Sequence, residues 1–113
     1  MTHQNNQKCL EILKHYGISP QLRKLAEECG EAVQAALKYD YRANEITKQL
    51  LITEIADLEI MVQQIKFVVG YEKVNKEIDF KLNRQLERIK NARKIEEEVL
   101  NDYEITFRGG VEI

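Results

Sequence analysis

The sequence predicts an all-α protein, a fold class that three observations support. Its 113 residues include only five Gly and one Pro, which are too few turn formers for a fold of many short strands. Leu, Ile, Ala, Glu, Lys and Gln, which favour helices, make up much of the remaining composition. The length suits one small domain. We therefore expect a single domain over residues 1–113, built as a helical bundle of about four helices with its core over about residues 5–98.

The first two helices are predicted from the signals at their ends. A first helix over about residues 5–16 carries apolar side chains and precedes Gly17, a residue type that commonly ends helices. Ser19 and Pro20 then mark a helix start, because the Ser hydroxyl can accept an unpaired amide proton and Pro has no amide proton to leave unpaired. The second helix is expected over about residues 20–39.

A long third helix and a charged fourth helix are predicted after a short connection over residues 40–44. Asn44 can cap the third helix, which stays apolar and periodic until Gly70. The fourth helix is expected over about residues 72–98. Residues 101–113 contain a Gly-Gly pair, and we expect a loop or a short strand there.

The composition and charge exclude several classes of protein. Hydrophobic residues make up 43% of the chain and the formal net charge is −2, which argues against disorder and against a basic nucleic-acid-binding module. No apolar run approaches the roughly 20 residues needed to cross a bilayer, and the first residues lack the features of a leader. We therefore expect a cytoplasmic protein with neither a membrane nor a nucleic-acid polymer as its partner.

Two acidic residues lie on the apolar stripe of the third helix. With a turn of about 100° per residue, Asp57 falls about 60° from Glu54 around the helix. The same period places within about 40° of Glu54 the apolar side chains of Leu50, Leu58, Met61, Ile65 and Val68. Two carboxylates therefore share the face that should pack in the core.

The second helix repeats this pattern with Glu28, and Glu31 lies on the opposite edge of the same stripe. Within about 60° of Glu28 fall Leu25, Ala32, Ala35 and Tyr39. A second apolar arc contains Leu22, Ala26, Cys29, Val33 and Leu37. We expect this helix to be buried on two sides, with Glu27 nearer the solvent.

Four acids at buried positions need positively charged partners. An unpaired buried carboxylate costs several kcal/mol, whereas the total stability of a small domain is about 5–15 kcal/mol. Lys24 is the only basic residue near the Glu28 face, and the stripe of the third helix has none. Residues three apart project from the same side of a helix, so Glu28 with Glu31, and Glu54 with Asp57, form two pairs that can face each other.

Oxygen ligands without His or Cys predict Mg²⁺, with Mn²⁺ as a substitute. Di-iron bundles usually present Glu-x-x-His pairs, and no His follows His15. Because Mg²⁺ retains waters and recruits phosphate oxygens of a substrate, the acids indicate phosphate chemistry. The alternative is that they lie on solvated faces and form ordinary salt bridges.

The acidic segments resemble a known family. The run Leu25-Ala26-Glu27-Glu28-Cys29-Gly30-Glu31, followed after 22 intervening positions by Glu54-Ile55-Ala56-Asp57, is similar to the EExxE…ExxD signature of the MazG-like all-α nucleoside triphosphate pyrophosphohydrolases. The run Lys81-Leu82-Asn83-Arg84-Gln85 resembles the basic KxxR stretch of many short members.

This resemblance implies an enzyme that hydrolyses a (deoxy)nucleoside triphosphate between its α and β phosphates, and a helical bundle that assembles as a homodimer or homotetramer. By the same resemblance, Glu28, Glu31, Glu54 and Asp57 would bind Mg²⁺. Glu27 would orient or deprotonate the attacking water. Lys81 and Arg84 would bind phosphate oxygens of the substrate.

Two alternatives accompany this interpretation. The chain also resembles, in its acids alone, the dimeric dUTPase and dCTP pyrophosphatase branches, which have narrow base specificity. Alternatively, the apolar helices and the charged segment 81–98 form a non-catalytic oligomerisation or adaptor domain. In either case, the small size of the chain argues that another subunit completes part of its apolar surface.

Overall fold

A computed structural model describes the backbone of residues 1–112 and the side chains of residues 1–104. Its four helices are α1 (His3–Tyr16), α2 (Ile18–Tyr41), α3 (Glu45–Val69) and α4 (Tyr71–Glu112). The described part of the chain contains no strand. The predicted all-α fold class with four helices is therefore confirmed.

The connection between α1 and α2 differs from the prediction because one glycine makes the whole turn. Gly17 has φ 90° and ψ 167°, a conformation that is almost confined to glycine. It is both the C-cap of α1 and the N-cap of α2. Helix α2 consequently begins at Ile18, and the predicted capping role of Ser19 is wrong. Ser19 Oγ lies 3.4 Å from Arg23 Nη2, which donates to it.

The connection between α2 and α3 is shorter than predicted, since α2 continues to Tyr41. The predicted cap at Asn44 is confirmed: its side-chain oxygen accepts from the backbone N–H groups of Ile46 and Thr47, both at 2.9 Å. Thr47 Oγ1 in turn accepts from the backbone N–H of Asn44 at 3.0 Å. This reciprocal capping box defines where α3 begins.

Helix α4 is longer than predicted. Gly70, with φ 120°, separates it from α3, and the helix then continues from Tyr71 to Glu112. The expected loop or short strand over residues 101–113 is therefore wrong as far as Glu112, and Ile113 lies outside the described residues. No glycine or proline occurs between Tyr71 and Arg108, so nothing in that stretch interrupts the helical backbone.

The chain divides into two compact units, of which the first covers Met1–Val74 and the second begins at Asn75. In the first unit α1, α2 and α3 pack against one another, and α2 and α3 form its main helix pair. Its buried apolar side chains are Cys9, Ala35, Met61 and Ile65. In the second unit, every described side chain from residue 76 to residue 104 is exposed.

The second apolar arc of α2 is not buried in the single chain. Leu22, Val33 and Leu37 are 44%, 58% and 63% exposed, and Ala26 and Cys29 are exposed as well. The prediction that α2 is buried on two sides is therefore wrong for one copy of the chain, because only the face toward α3 and α1 is covered. Among the described helices, none has the length and apolar character that a membrane span requires.

Candidate metal centre

The acidic residues are brought together by the antiparallel packing of α2 and α3. The two helices are joined by residues 42–44 and run in opposite directions, so side chains equally distant from that connection lie opposite each other. Gln21 contacts Gln64. Seven residues nearer the connection on each helix, Glu28 lies close to Asp57. Seven residues are nearly two helical turns, so both pairs occupy the same side of the interface.

Three carboxylates converge in this interface. Glu28 from α2 and Glu54 and Asp57 from α3 each offer one oxygen, and the three oxygens lie within 4.8 Å of one another. Glu28 is only 5% exposed, and the other two are partly buried. Three negative charges at such separations repel one another strongly where water is partly excluded, so the cluster needs positive charge.

Two of these carboxylate oxygens are buried and have no hydrogen-bond partner in the described part of the chain: Glu28 Oε2 and Glu54 Oε2. The other oxygen of Glu28, Oε1, forms an ion pair with Lys24 Nζ at 3.3 Å. Buried polar atoms are nearly always hydrogen-bonded in native proteins, and each one that is not calls for an explanation. A ligand that supplies positive charge between the two helices is one such explanation.

The electrostatics around Glu28 also indicate that its negative charge is incompletely compensated. Burial raises the pKa of Glu28 above its ordinary value, the contact with Lys24 opposes that increase, and the neighbouring Glu31 adds to it. Lys24 also lies 3.5 Å from Glu27, and its two glutamate neighbours, Glu28 foremost, raise the pKa of its ammonium group. One half-exposed lysine therefore does not offset the loss of hydration at Glu28.

A second group of acids shares Glu28. Glu27, Glu28 and Glu31 also offer oxygens within 4.8 Å of one another, and Glu27 and Glu31 are exposed. Glu31 and Glu54 both line a small pocket of about 90 Å³ between α2 and α3. The structure thus brings the five predicted acids into two overlapping groups, with Glu28 common to both and Glu27 and Glu31 on the solvent side.

The predicted phosphate-binding pair lies on the second unit. Lys81 and Arg84 are exposed residues of α4, and the Arg84 guanidinium carbon lies 5.4 Å from the centre of the Phe80 ring. This cation–π contact orients the Arg84 side chain along its own helix. The role of these two residues toward a substrate stays a prediction.

Sequence reasoning did not identify the buried glutamines. Gln21, Gln63 and Gln64 are buried, and Gln63 donates to Asn6 Oδ1 of α1 at 2.7 Å. A signal was present, since Gln21 precedes Glu28 by seven residues and Gln64 follows Asp57 by seven. Positions seven apart differ by only about 20° around a helix, so both glutamines lie on the stripes that carry the acids.

Comparison of the chain with protein-family models, with curated proteins and with solved structures gave no match. The likeness to the MazG-like family therefore stays a prediction from the motifs. What the structure adds is the convergence of Glu28, Glu54 and Asp57 from two helices, with two buried oxygens that have no partner among the described residues.

Proposed function

We propose that this protein is a Mg²⁺-dependent nucleoside triphosphate pyrophosphohydrolase, which converts a (deoxy)nucleoside triphosphate and water into a monophosphate and pyrophosphate. The observation that carries the proposal is the three-carboxylate cluster of Glu28, Glu54 and Asp57, in which two buried oxygens have no hydrogen-bond partner among the described residues. The acidic motifs supply the reaction class, through their resemblance to the MazG-like family.

The donor set fits a hard divalent cation. Each of the three clustered side chains offers a carboxylate oxygen, and Mg²⁺ and Mn²⁺ prefer such ligands. Two carboxylates on α3 and one on α2 provide a net negative charge that Lys24 only partly offsets. Mg²⁺ seldom fills its shell with protein ligands alone and often retains positions for water and substrate phosphates. We assign Glu28, Glu54 and Asp57 to the cation, and Glu31 to its solvent side.

The remaining residues have roles that the resemblance implies. Mg²⁺, when bound, neutralises phosphate oxygens and makes a nearby water more acidic. Glu27 would orient a water and accept its proton, a role that its exposure and its membership of one acid group with Glu28 support. Lys24 holds Glu28 in position through the contact at 3.3 Å. The resemblance to the MazG-like family, and not the geometry, assigns phosphate binding to Lys81 and Arg84, which could form charge-assisted hydrogen bonds with phosphate oxygens.

A second candidate function, a non-catalytic oligomerisation or adaptor domain, is favoured by the exposed apolar side chains. Leu22, Val33 and Leu37 on α2 are all more than 40% exposed, which suits a surface that another chain covers. This function does not account for the two buried carboxylate oxygens that have no partner within residues 1–104. The two candidates therefore differ in whether a divalent cation and a triphosphate bind.

The proposal is tested by measuring pyrophosphate release from a panel of canonical and modified nucleoside triphosphates in the presence of Mg²⁺. Wild type is compared with Glu54→Gln and Asp57→Asn, each of which removes one charged ligand while keeping the size of the side chain. Glu59→Gln is the matched control, because Glu59 is an exposed acid on the same helix outside both acid groups.

We expect pyrophosphate release by wild type and by the control, and a loss of at least about tenfold in the two ligand variants, since even the residues that support metal ligands commonly contribute 10–100-fold to metal affinity or activity. A preference for dUTP or dCTP would assign the chain to a branch of narrow base specificity. Orthophosphate as the sole product, or full activity of both ligand variants, would contradict the proposal. Absence of hydrolysis together with absence of a metal effect on stability would support the adaptor function.

A further inference from the structure

The part of α4 that belongs to the second unit carries apolar side chains that nothing in the described chain covers. Every described side chain from residue 76 to residue 104 is exposed, and Leu82, Leu86 and Val99 are 59%, 65% and 60% exposed. Helices in proteins gain most of their stability by packing an apolar face. We propose that two copies of this chain associate by antiparallel pairing of their α4 helices. This inference goes beyond the proposed function and does not depend on it.

The apolar residues of α4 have the spacing of a two-stranded coiled coil. From residue 78 to residue 99, intervals of four and three residues alternate along one stripe of the helix, which is the heptad pattern. The apolar residues at these positions are Ile78, Leu82, Ile89, Ala92 and Val99. The remaining two positions hold Gln85 and Glu96, and Leu86, Ile95 and Leu100 flank the stripe and widen it. The stripe therefore suits a second helix as its partner.

The charged residues of the same helix are separated by sign, which identifies the partner. Residues 81–94 contain six basic residues and one acidic residue, a net charge of +5, whereas residues 96–104 contain five acidic residues and no basic one, a net charge of −5. In a parallel pair of identical helices, like charges would lie side by side and repel. In an antiparallel pair, the basic segment of each copy lies beside the acidic segment of the other. The charge pattern therefore favours a second copy of this chain in the antiparallel orientation.

The charges and the apolar stripe give the same alignment of the two helices. The middle of the basic segment lies near residue 88 and the middle of the acidic segment at residue 100, so opposite charges face each other best when the pair is symmetric about residue 94. This symmetry also places stripe positions opposite stripe positions: Ile89 of one copy faces Val99 of the other, and Ala92 faces Glu96. Any shift of one or two residues would move one stripe off the other, because the heptad positions would no longer coincide.

Arg88 and Asp102 are the flanking residues that this alignment joins. They occupy the same heptad position two repeats apart, and symmetry about residue 94 brings Arg88 of one copy beside Asp102 of the other. Because the pair has a twofold axis, this contact occurs twice. Flanking ion pairs of this kind set the partner choice and orientation of coiled coils. Glu96, the charged member of the stripe, lies near Arg93 of the other copy in the same alignment, so its carboxylate gains a basic partner.

The test exchanges these two charges in the full-length chain. Sedimentation over a range of concentrations, at low salt where ion pairs are least screened, gives the mass of wild type, Arg88→Glu, Asp102→Arg and the variant that carries both substitutions. An equimolar mixture of the two single variants is measured as well. Lys94→Glu is the matched control, because Lys94 is an exposed basic residue on the side of α4 opposite the stripe. All three substituted residues are exposed, and circular dichroism shows whether each variant keeps its helices.

We expect wild type and Lys94→Glu to associate alike, and each single variant to associate about tenfold more weakly or worse, because two ion pairs become two like-charge contacts. The mass of the single variants then shifts toward half that of wild type. In the double variant, and in the mixture of the two single variants, opposite charges face each other again and the association returns.

Three results overturn the inference. The first is a wild type that stays monomeric, as a solvated single helix would. The second is an oligomer that Arg88→Glu and Asp102→Arg leave intact, since another surface, such as the exposed face of α2, then holds it. The third is a loss of association that neither the double variant nor the mixture restores, which a parallel pair or a partner of another kind would give.

Discussion

Replacing Glu28 by glutamine should stabilise the protein when no metal is present. Glu28 is 5% exposed, its Oε2 has no partner in the described part of the chain, and burial raises its pKa. In Glu28→Gln the charge disappears, and the new amide can donate to an oxygen of the adjacent Glu54 or Asp57 carboxylates. The substitution also removes the contact between Glu28 and Lys24.

The magnitudes decide the sign of this effect. A buried polar group without a partner costs about 1–3 kcal/mol. The ion pair that is lost involves a Lys24 side chain that is 47% exposed, and such pairs contribute about 0.2–1 kcal/mol. We therefore expect a net gain of about 1–2 kcal/mol, and each kcal/mol corresponds to roughly 4–8 °C in Tm for a domain of about 100 residues.

Magnesium should make wild type more stable than Glu28→Gln. A ligand at about one hundred times its Kd stabilises the folded protein by about 2.7 kcal/mol, but Glu28→Gln removes one of the three clustered carboxylates that would bind it. The assay is thermal melting of wild type, Glu28→Gln and the exposed control Glu59→Gln, first in chelator and then across a Mg²⁺ titration. If Glu28→Gln were less stable than wild type in chelator, or responded equally to Mg²⁺, the reasoning about the buried oxygens would be refuted.

Three further predictions follow from the same structure. First, the folded-state pKa of Glu28 is raised above its ordinary value of 4.5, so its contribution to stability is fully present below that value and is lost as the pH rises through the raised pKa. In metal-free melting, the Tm of wild type should therefore rise relative to that of Glu28→Gln as the pH is lowered, and a constant difference in Tm would contradict this. Second, Gly17→Ala should lower the free energy of unfolding by about 1–3 kcal/mol, the strain of a backbone conformation that is nearly confined to glycine; urea denaturation measures it, and an unchanged midpoint would contradict the turn geometry. Third, the exposed apolar residues of α2 should support self-association, so sedimentation should show a dimer or tetramer that Val33→Lys weakens, and a monomer at all concentrations would contradict that expectation.

Much of the fold could be predicted because the helix-end signals are local. Asn44 begins α3 through a capping box that needs only its neighbours along the chain. Ser19 does not cap α2, because Gly17, in its unusual backbone conformation, shortens the turn to one residue and so moves the start of α2 to Ile18. Helix α4 extends beyond the predicted residue 98 because neither the charged turns before that residue nor the two glycines at positions 109 and 110 interrupt the helical backbone.

The convergence of the acids could be predicted because it follows from helical period and from a short connection between antiparallel helices. The same logic places Gln21 opposite Gln64, since both pairs are symmetric about the connection between α2 and α3. Glutamine carries no charge whose burial would conflict with the apolar pattern, so hydropathy alone does not predict the buried pair. The second apolar arc of α2 was expected to be buried because periodicity reports how apolar a face is but not which chain covers it.

The most direct test of the central claim is the identity of the product formed from a nucleoside triphosphate and Mg²⁺, followed by phosphorus NMR. If Glu28, Glu54 and Asp57 hold Mg²⁺ for hydrolysis between the α and β phosphates, the spectrum will show equal amounts of monophosphate and pyrophosphate, and none when a chelator is added. Formation of diphosphate and orthophosphate, or no reaction with any triphosphate of the panel at saturating Mg²⁺, would contradict the account.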